Sequence, residues 1–143
     1  AGYGTGAEAL NIIKDGETFN TKTLWKSKRL KTKFSSPIYN KGFIYGLNEN
    51  RLVCIDARDG SLKWSGKKYG YGQIITASDH LLILGDSGEL SLVKMTSEEF
   101  IEKASYKALS GGRTWNYPAL SGGFLFLRNS HEIACYDLRP IIN

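Results

Sequence analysis

Histidine and cysteine are scarce in this chain, with two of each among 143 residues. Cys54 and Cys135 stand in no metal-ligand spacing with His80 and His131, which excludes a zinc finger or ribbon. No two cysteines are adjacent, and no Ser/His/Asp grouping stands out. No apolar run approaches the ~20 residues of a membrane-spanning helix, and Leu81-Leu82-Ile83-Leu84 is only of strand length. No secretory leader is visible, and a chain that begins at Ala1 rather than Met carries little information on that point. Helical 3.6-residue periodicity is weak everywhere except Thr96 to Ala104, where Ser97-Glu98-Glu99-Phe100 suggests one capped helical turn.

What the chain does have is glycine, 16 against 3 prolines, the mark of many tight turns between short strands. Hydrophobic residues make up 41% and charged residues 23%, enough apolar surface for a core. The net charge is +5. No groove-reading motif accompanies it, so it reads as a mildly basic surface rather than a nucleic-acid module. The stretch from Lys22 to Lys33 holds six basic residues in twelve, a pattern that fits the solvated face of a strand and its loop, with steering of an acidic partner as the alternative.

Internal self-similarity is the strongest signal. Pro37 placed over Pro118, a shift of 81 (118 − 37), aligns Gly42 with Gly123, Asn48 with Asn129, Cys54 with Cys135, Asp56 with Asp137 and Arg58 with Arg139. A middle unit follows at a shift of 38 (81 − 43), with Leu81 on Phe43, Leu82 on Ile44, Ile83 on Tyr45 and Leu92 on Cys54. Each unit consists of short aromatic and β-branched runs separated by turn residues, including Asp59-Gly60 and Asp86-Ser87-Gly88. The expected strands are 7–14 and 20–26, then 34–40, 42–48, 51–57 and 61–66, then 72–77, 80–85, 89–95 and 103–108, and finally 115–121, 123–128 and 132–137. Both histidines are expected in turns. Four-stranded units at a period near 40 imply an all-β partial propeller of about three antiparallel blades, not closed by one chain. The divisions are 1–26 as the end of a preceding blade, 27–66, 67–108, and 109–143 lacking its outer strand.

Gly42-Phe-Ile-Tyr-Gly46, followed by Leu52-Val-Cys-Ile-Asp56 and Gly60-Ser-Leu-Lys-Trp64, resembles the repeat of the PQQ-like β-propeller family, whose blades are of the WD40 kind. The pattern is degenerate in the next unit, where Lys94 replaces the Asp. It returns at Gly123-Phe-Leu-Phe and Ile133-Ala-Cys-Tyr-Asp137, without the closing Gly and Trp. The chain is similar to the C-terminal blades of bacterial proteins of this kind, which implies a periplasmic or otherwise exported protein. The family includes outer-membrane assembly scaffolds and quinoprotein dehydrogenases, so the resemblance does not choose between binding and catalysis.

In such a blade Trp64 is a plug between neighbouring sheets, and Gly42 and Gly46 bound a strand too crowded for side chains. Gly123 repeats Gly42. Cys54 and Cys135 occupy the same inward position in blades two apart, too distant for a disulfide, and are read as small core residues. A candidate ligand site lies where the innermost strands begin. Ser35, Gln73 and Asn116 align as polar residues in all three units. Just before them stand Lys33 and Phe34, Tyr71 and Gly72, and Thr114 and Trp115, with Arg113 adding charge. Together these make a cationic and aromatic funnel for an anionic ligand or a peptide. The alternative is that strand starts are polar because they are wet.

The expected function is a non-enzymatic scaffold or binding module, with no catalytic or metal residue assigned and no cofactor identified. The alternative is part of a PQQ-dependent quinoprotein oxidoreductase, which would need the quinone and Ca²⁺. Ring closure requires partners: either the missing blades of a longer propeller of seven or eight, or self-association of copies.

Overall fold

The computed structural model describes residues 2–140, which form thirteen strands and no helix. A front hairpin pairs β1 (Ala7–Asp15) with β2 (Thr18–Ser27). Sheet one holds β3 (Ile38–Asn40), β4 (Phe43–Asn48), β5 (Arg51–Asp56) and β6 (Leu62–Lys68) in sequence order. Sheet two repeats this with β7 (Gln73–Ala77), β8 (His80–Leu84), β9 (Glu89–Lys94) and β10 (Glu102–Lys107). Sheet three holds β11 (Ala119–Ser121), β12 (Phe124–Arg128) and β13 (Ile133–Asp137). Every pairing is antiparallel, as expected for short connections.

The sheets stack through apolar faces. Tyr45, Leu47, Leu52, Cys54 and Trp64 of sheet one meet Ile74, Leu81, Ile83 and Val93 of sheet two. Leu82, Leu84 and Leu90 on the other face of sheet two meet Leu125 and Leu127 of sheet three. Sheet two is therefore buried on both faces, which explains the unbroken apolar run Leu81–Leu84. Tryptophans fasten successive sheets. Trp25 donates its indole N–H to the Ala57 carbonyl at 2.9 Å, and Trp64 donates to the Thr96 carbonyl at 2.8 Å.

The middle repeat is out of register by one residue in part. Tyr45 pairs with Cys54, and Leu82 pairs with Leu92, on the equivalent face. Thus β5 maps onto β9 at 38 residues (92 − 54), but β4 maps onto β8 at 37 (82 − 45). Tyr45 corresponds to Leu82 and not to Ile83. The Leu47–Leu52 connection is shorter by one residue than the equivalent Leu84–Leu90 connection, and a one-residue slip exchanges the two faces of a strand.

Several expectations are corrected. The first strands of sheets one and three, β3 and β11, span three residues each rather than seven. Pro37 and Pro118 remove ladder donors just before them, and Phe34 turns the chain with φ of 59°. Residues Ser97–Phe100 form no helical turn; the Glu98 N–H bonds the Thr96 hydroxyl at 3.2 Å, and an open bend results. His80 begins β8, where the expected strand 80–85 starts, and so does not lie in a turn. Gly42 has φ of 87° and open space where a Cβ would be, so it serves the Lys41-Gly42 hairpin turn and relieves no crowding. At Gly46 a Cβ would approach the Leu30 side chain to 2.7 Å, so crowding is the reason there. Gly123 has φ of 81°, also in a hairpin turn, with the Arg139 side chain against it.

Cys54 is buried, but Cys135 is exposed. They hold the same position, opposite Tyr45 and Phe126. In sheet one that face is covered by sheet two, whereas in sheet three the face toward sheet two is the opposite one, carrying Leu125 and Leu127. Burial pushes the Cys54 thiol up to about 11, so it is an inert apolar filler.

Asp56 and Asp137 carry the same turn device. Arg58 bonds Asp56 from its backbone N–H at 2.9 Å and its guanidinium at 3.0 and 2.8 Å, and Arg139 does so for Asp137 at 3.0, 2.9 and 2.6 Å. These bonds, side chain first, hold each carboxyl down at about 2. A folded value below the unfolded one contributes stability that is complete above pH ~4 and is lost as pH falls toward 2. Thermal melts between pH 6 and 2 should show that decline. Asp56→Asn should melt lower at pH 6 and lose less on acidification; an identical pH slope in the variant would refute the assignment.

Candidate ligand-binding cleft

The loops entering the first strands of the three sheets converge on a cleft of about 490 Å³. Strand register shows why they converge. Ile38 pairs with Tyr45, Ile75 with Leu82 and Ala119 with Phe126, so these three strand residues are equivalent. Four residues before each stand Phe34, Tyr71 and Trp115. One aromatic therefore occupies the same place in three successive sheets. Phe34 stacks on Trp115 at 5.7 Å with 17° between the rings, and meets Tyr71 edge-on at 6.5 Å. Tyr3 adds a further edge contact to Phe34 at 6.0 Å. Phe34 and Trp115 remain 56% and 44% exposed, so much of each ring is open to a ligand.

Two cations border these rings. The Lys33 ammonium lies 5.3 Å from the Tyr71 ring centre and 5.8 Å from that of Tyr3. The Arg113 guanidinium lies 5.2 Å from the Trp115 ring centre. Among the described residues neither makes an ion pair, so both charges remain available. Among the described residues the one carboxylate lining the cleft, Asp86, is engaged with the backbone: it accepts from the Tyr71 N–H at 3.0 Å, while its own carbonyl accepts from the Thr114 N–H at 3.0 Å.

Gln73 lies behind the lining residues and ties their loops together. It is 1% exposed, and its amide nitrogen donates to the Phe34 carbonyl at 2.9 Å and the Trp115 carbonyl at 3.1 Å. One side chain of sheet two thus ties the loops of sheets one and three. The Ser36 N–H also donates to the Tyr117 hydroxyl at 2.6 Å across the same gap. Phe34 holds a left-handed backbone conformation that costs a bulky residue of order 1–3 kcal/mol and persists where surroundings enforce it. Among the described residues the buried oxygens of Ser35, Gln73 and Thr114 have no hydrogen-bond partner.

Of the residues expected from sequence, Lys33, Phe34, Tyr71, Arg113 and Trp115 line the cleft. Gln73 supports it from behind. Ser35 is half-buried beside it, and Asn116 does not line it. Gln73 is equivalent to Ser36 and Tyr117 and not to Ser35 and Asn116, because of the one-residue slip. Tyr3 and Asp86 join unannounced: Tyr3 precedes the repeat, and Asp86 reads as a plain turn residue.

The backbone is similar to that in the crystal structure of BamB from Moraxella catarrhalis, with a TM-score of 0.64 at 12% identity. The match covers 93% of this chain and 47% of that one. The chain folds as part of a β-propeller. It spans about half the length of the solved propeller it matches. No family model matches, and no curated protein matches by sequence. In propeller terms each sheet is a blade, and the loops that enter its first strand, β3, β7 or β11, line the cleft. Among the described residues no helix is long and apolar enough to cross a membrane.

Proposed function

We propose that this propeller segment is a non-catalytic binding module whose cleft takes an acidic peptide segment. The observation that carries this reading is the meeting of two unpaired cations, Lys33 and Arg113, with the equivalent aromatics Phe34, Tyr71 and Trp115. The cations attract carboxylates, and the open rings receive apolar or planar side chains. The repeat motif supports placing the chain among the PQQ-like propellers, with blades at 27–66, 67–108 and 109–143, in an exported bacterial protein. Further blades, from a longer chain or a second copy, complete the ring.

The quinoprotein alternative requires PQQ and Ca²⁺, and the cleft does not fit that pair. Ca²⁺ takes six to eight oxygen ligands. The cleft offers one carboxylate, Asp86, already bonded to the Tyr71 N–H. Among the described residues no three His, Cys, Asp or Glu side chains cluster.

Titration of Trp115 fluorescence with short acidic peptides that carry one aromatic residue tests the proposal. Saturable binding that weakens with salt is expected. Lys33→Ala and Arg113→Ala should each weaken it roughly two- to thirty-fold, the range of a cation–aromatic contact. Unchanged affinity in both variants, or binding of PQQ with Ca²⁺ in preference to every peptide, would overturn it.

A further inference from the structure

A second site follows from a tryptophan that the third blade contact does not have. Trp25 stands opposite Ala9 and Trp64 opposite Cys54, each beside a one-residue bulge. At the same place in β10, also beside a bulge, Ala104 stands opposite Leu92. The carbonyl acceptor has its equivalent too. Ala57, which accepts the Trp25 indole, bonds its N–H to the Gly42 carbonyl at 2.9 Å; Leu138 bonds its N–H to the Gly123 carbonyl at 2.8 Å. Leu138 is thus to sheet three what Ala57 is to sheet one. Between Ala104 and Leu138 lies a cavity of about 370 Å³, walled by Leu82, Leu90, Leu92 and Tyr106. Its volume falls within the range of small-ligand sites.

The edge-on pair of Tyr106 and Tyr136, at 5.6 Å, fills part of the interface. Among the described residues it leaves the space beside Ala104 open to the outer rim, where Tyr106 is 46% and Leu138 47% exposed. At the two other contacts a planar indole on a polypeptide strand fills this place and donates its N–H to the loop carbonyl of the next blade. We propose that the cavity beside Ala104 is a binding site for an indole ring, supplied as the tryptophan side chain of a partner polypeptide. The ring lies against Leu82, Leu92 and Leu138, and its N–H meets the Leu138 carbonyl. The site is on the opposite side of sheet two from the Trp64 contact and shares no lining residue with the cationic cleft.

N-acetyl-L-tryptophanamide and free indole are the probes, with leucine methyl shifts as the readout. The amide should bind saturably and shift the methyls of Leu82, Leu92 and Leu138. Ala104→Trp supplies the ring from within, so it should abolish that binding and raise the melting temperature by about 3–6 °C. Ala104→Leu, a smaller plug, should weaken binding without preventing folding. Arg113→Ala should leave these shifts unchanged, which separates this site from the cleft. No saturable shift at these methyls, or binding undiminished in Ala104→Trp, would sink the proposal. Binding of indole without the amide would overturn the polypeptide as occupant.

Discussion

Trp64→Ala is expected to lower the folding stability by about 3–5 kcal/mol. The indole is 8% exposed and sits between two sheets. Its ring lies 5.9 Å from that of Tyr45 and 5.8 Å from that of Phe100, and its N–H satisfies the Thr96 carbonyl at 2.8 Å. Truncation opens a cavity and strands a carbonyl, two costs in the same direction. Trp64→Phe keeps most of the packing and should cost about 1–2 kcal/mol, chiefly for the lost hydrogen bond. Trp25→Ala provides the internal control. Trp25 makes the same bond from the front hairpin but is only half-buried, so its truncation should cost roughly half as much. Urea denaturation of the three variants reads these differences as midpoints. A midpoint for Trp64→Ala at or above that of Trp25→Ala would show that the contact between sheets one and two is not the main fastening.

Gln73→Ala should cost about 2–3 kcal/mol and open the cleft. Both groups that face the Gln73 amide are carbonyls, of Phe34 and Trp115, so its nitrogen must point toward them. Removing that nitrogen frees both loops, and the stack of Phe34 on Trp115 loses its support. Trp115 fluorescence should shift to the red, and acidic peptides should bind more weakly than to the parent protein. Gln73→Glu separates size from chemistry. It keeps the shape but sets carboxylate oxygens against two carbonyl oxygens in a buried place. The anion is disfavoured there, so the folded carboxyl value lies above the unfolded one. The penalty should therefore be full at pH 7 and ease as pH falls toward ~4, where the protonated acid donates one bond. A Gln73→Glu variant as stable as the parent at pH 7 would show that the two carbonyl bonds do not hold the cleft together.

Strand positions are readable in the sequence for a physical reason. Hairpins place glycine and turn residues at fixed offsets, and blades that face solvent or a neighbour on one side alternate apolar and polar residues. The ends of β4, β5, β8, β9, β12 and β13 accordingly fall within about one residue of expectation. The register of the middle unit is not readable in this way. Leu81–Leu84 is buried on both faces, so no alternation distinguishes Leu82 from Ile83. Only backbone pairing reveals the longer connection after Leu84. The equivalence of Phe34, Tyr71 and Trp115 depends on that one residue.

The sequence by itself determined the all-β class, the repeat, Trp64 as a plug between sheets and five of the residues lining the cleft, because each depends on local spacing or on a recurring chemical type. Tertiary structure decided the rest. It places Tyr3 and Asp86 in the cleft, turns Cys135 outward, makes Gln73 a tie between two other blades, and leaves open the space beside Ala104. Each of these depends on which sheet covers which face, and a side chain far away in the chain supplies that cover.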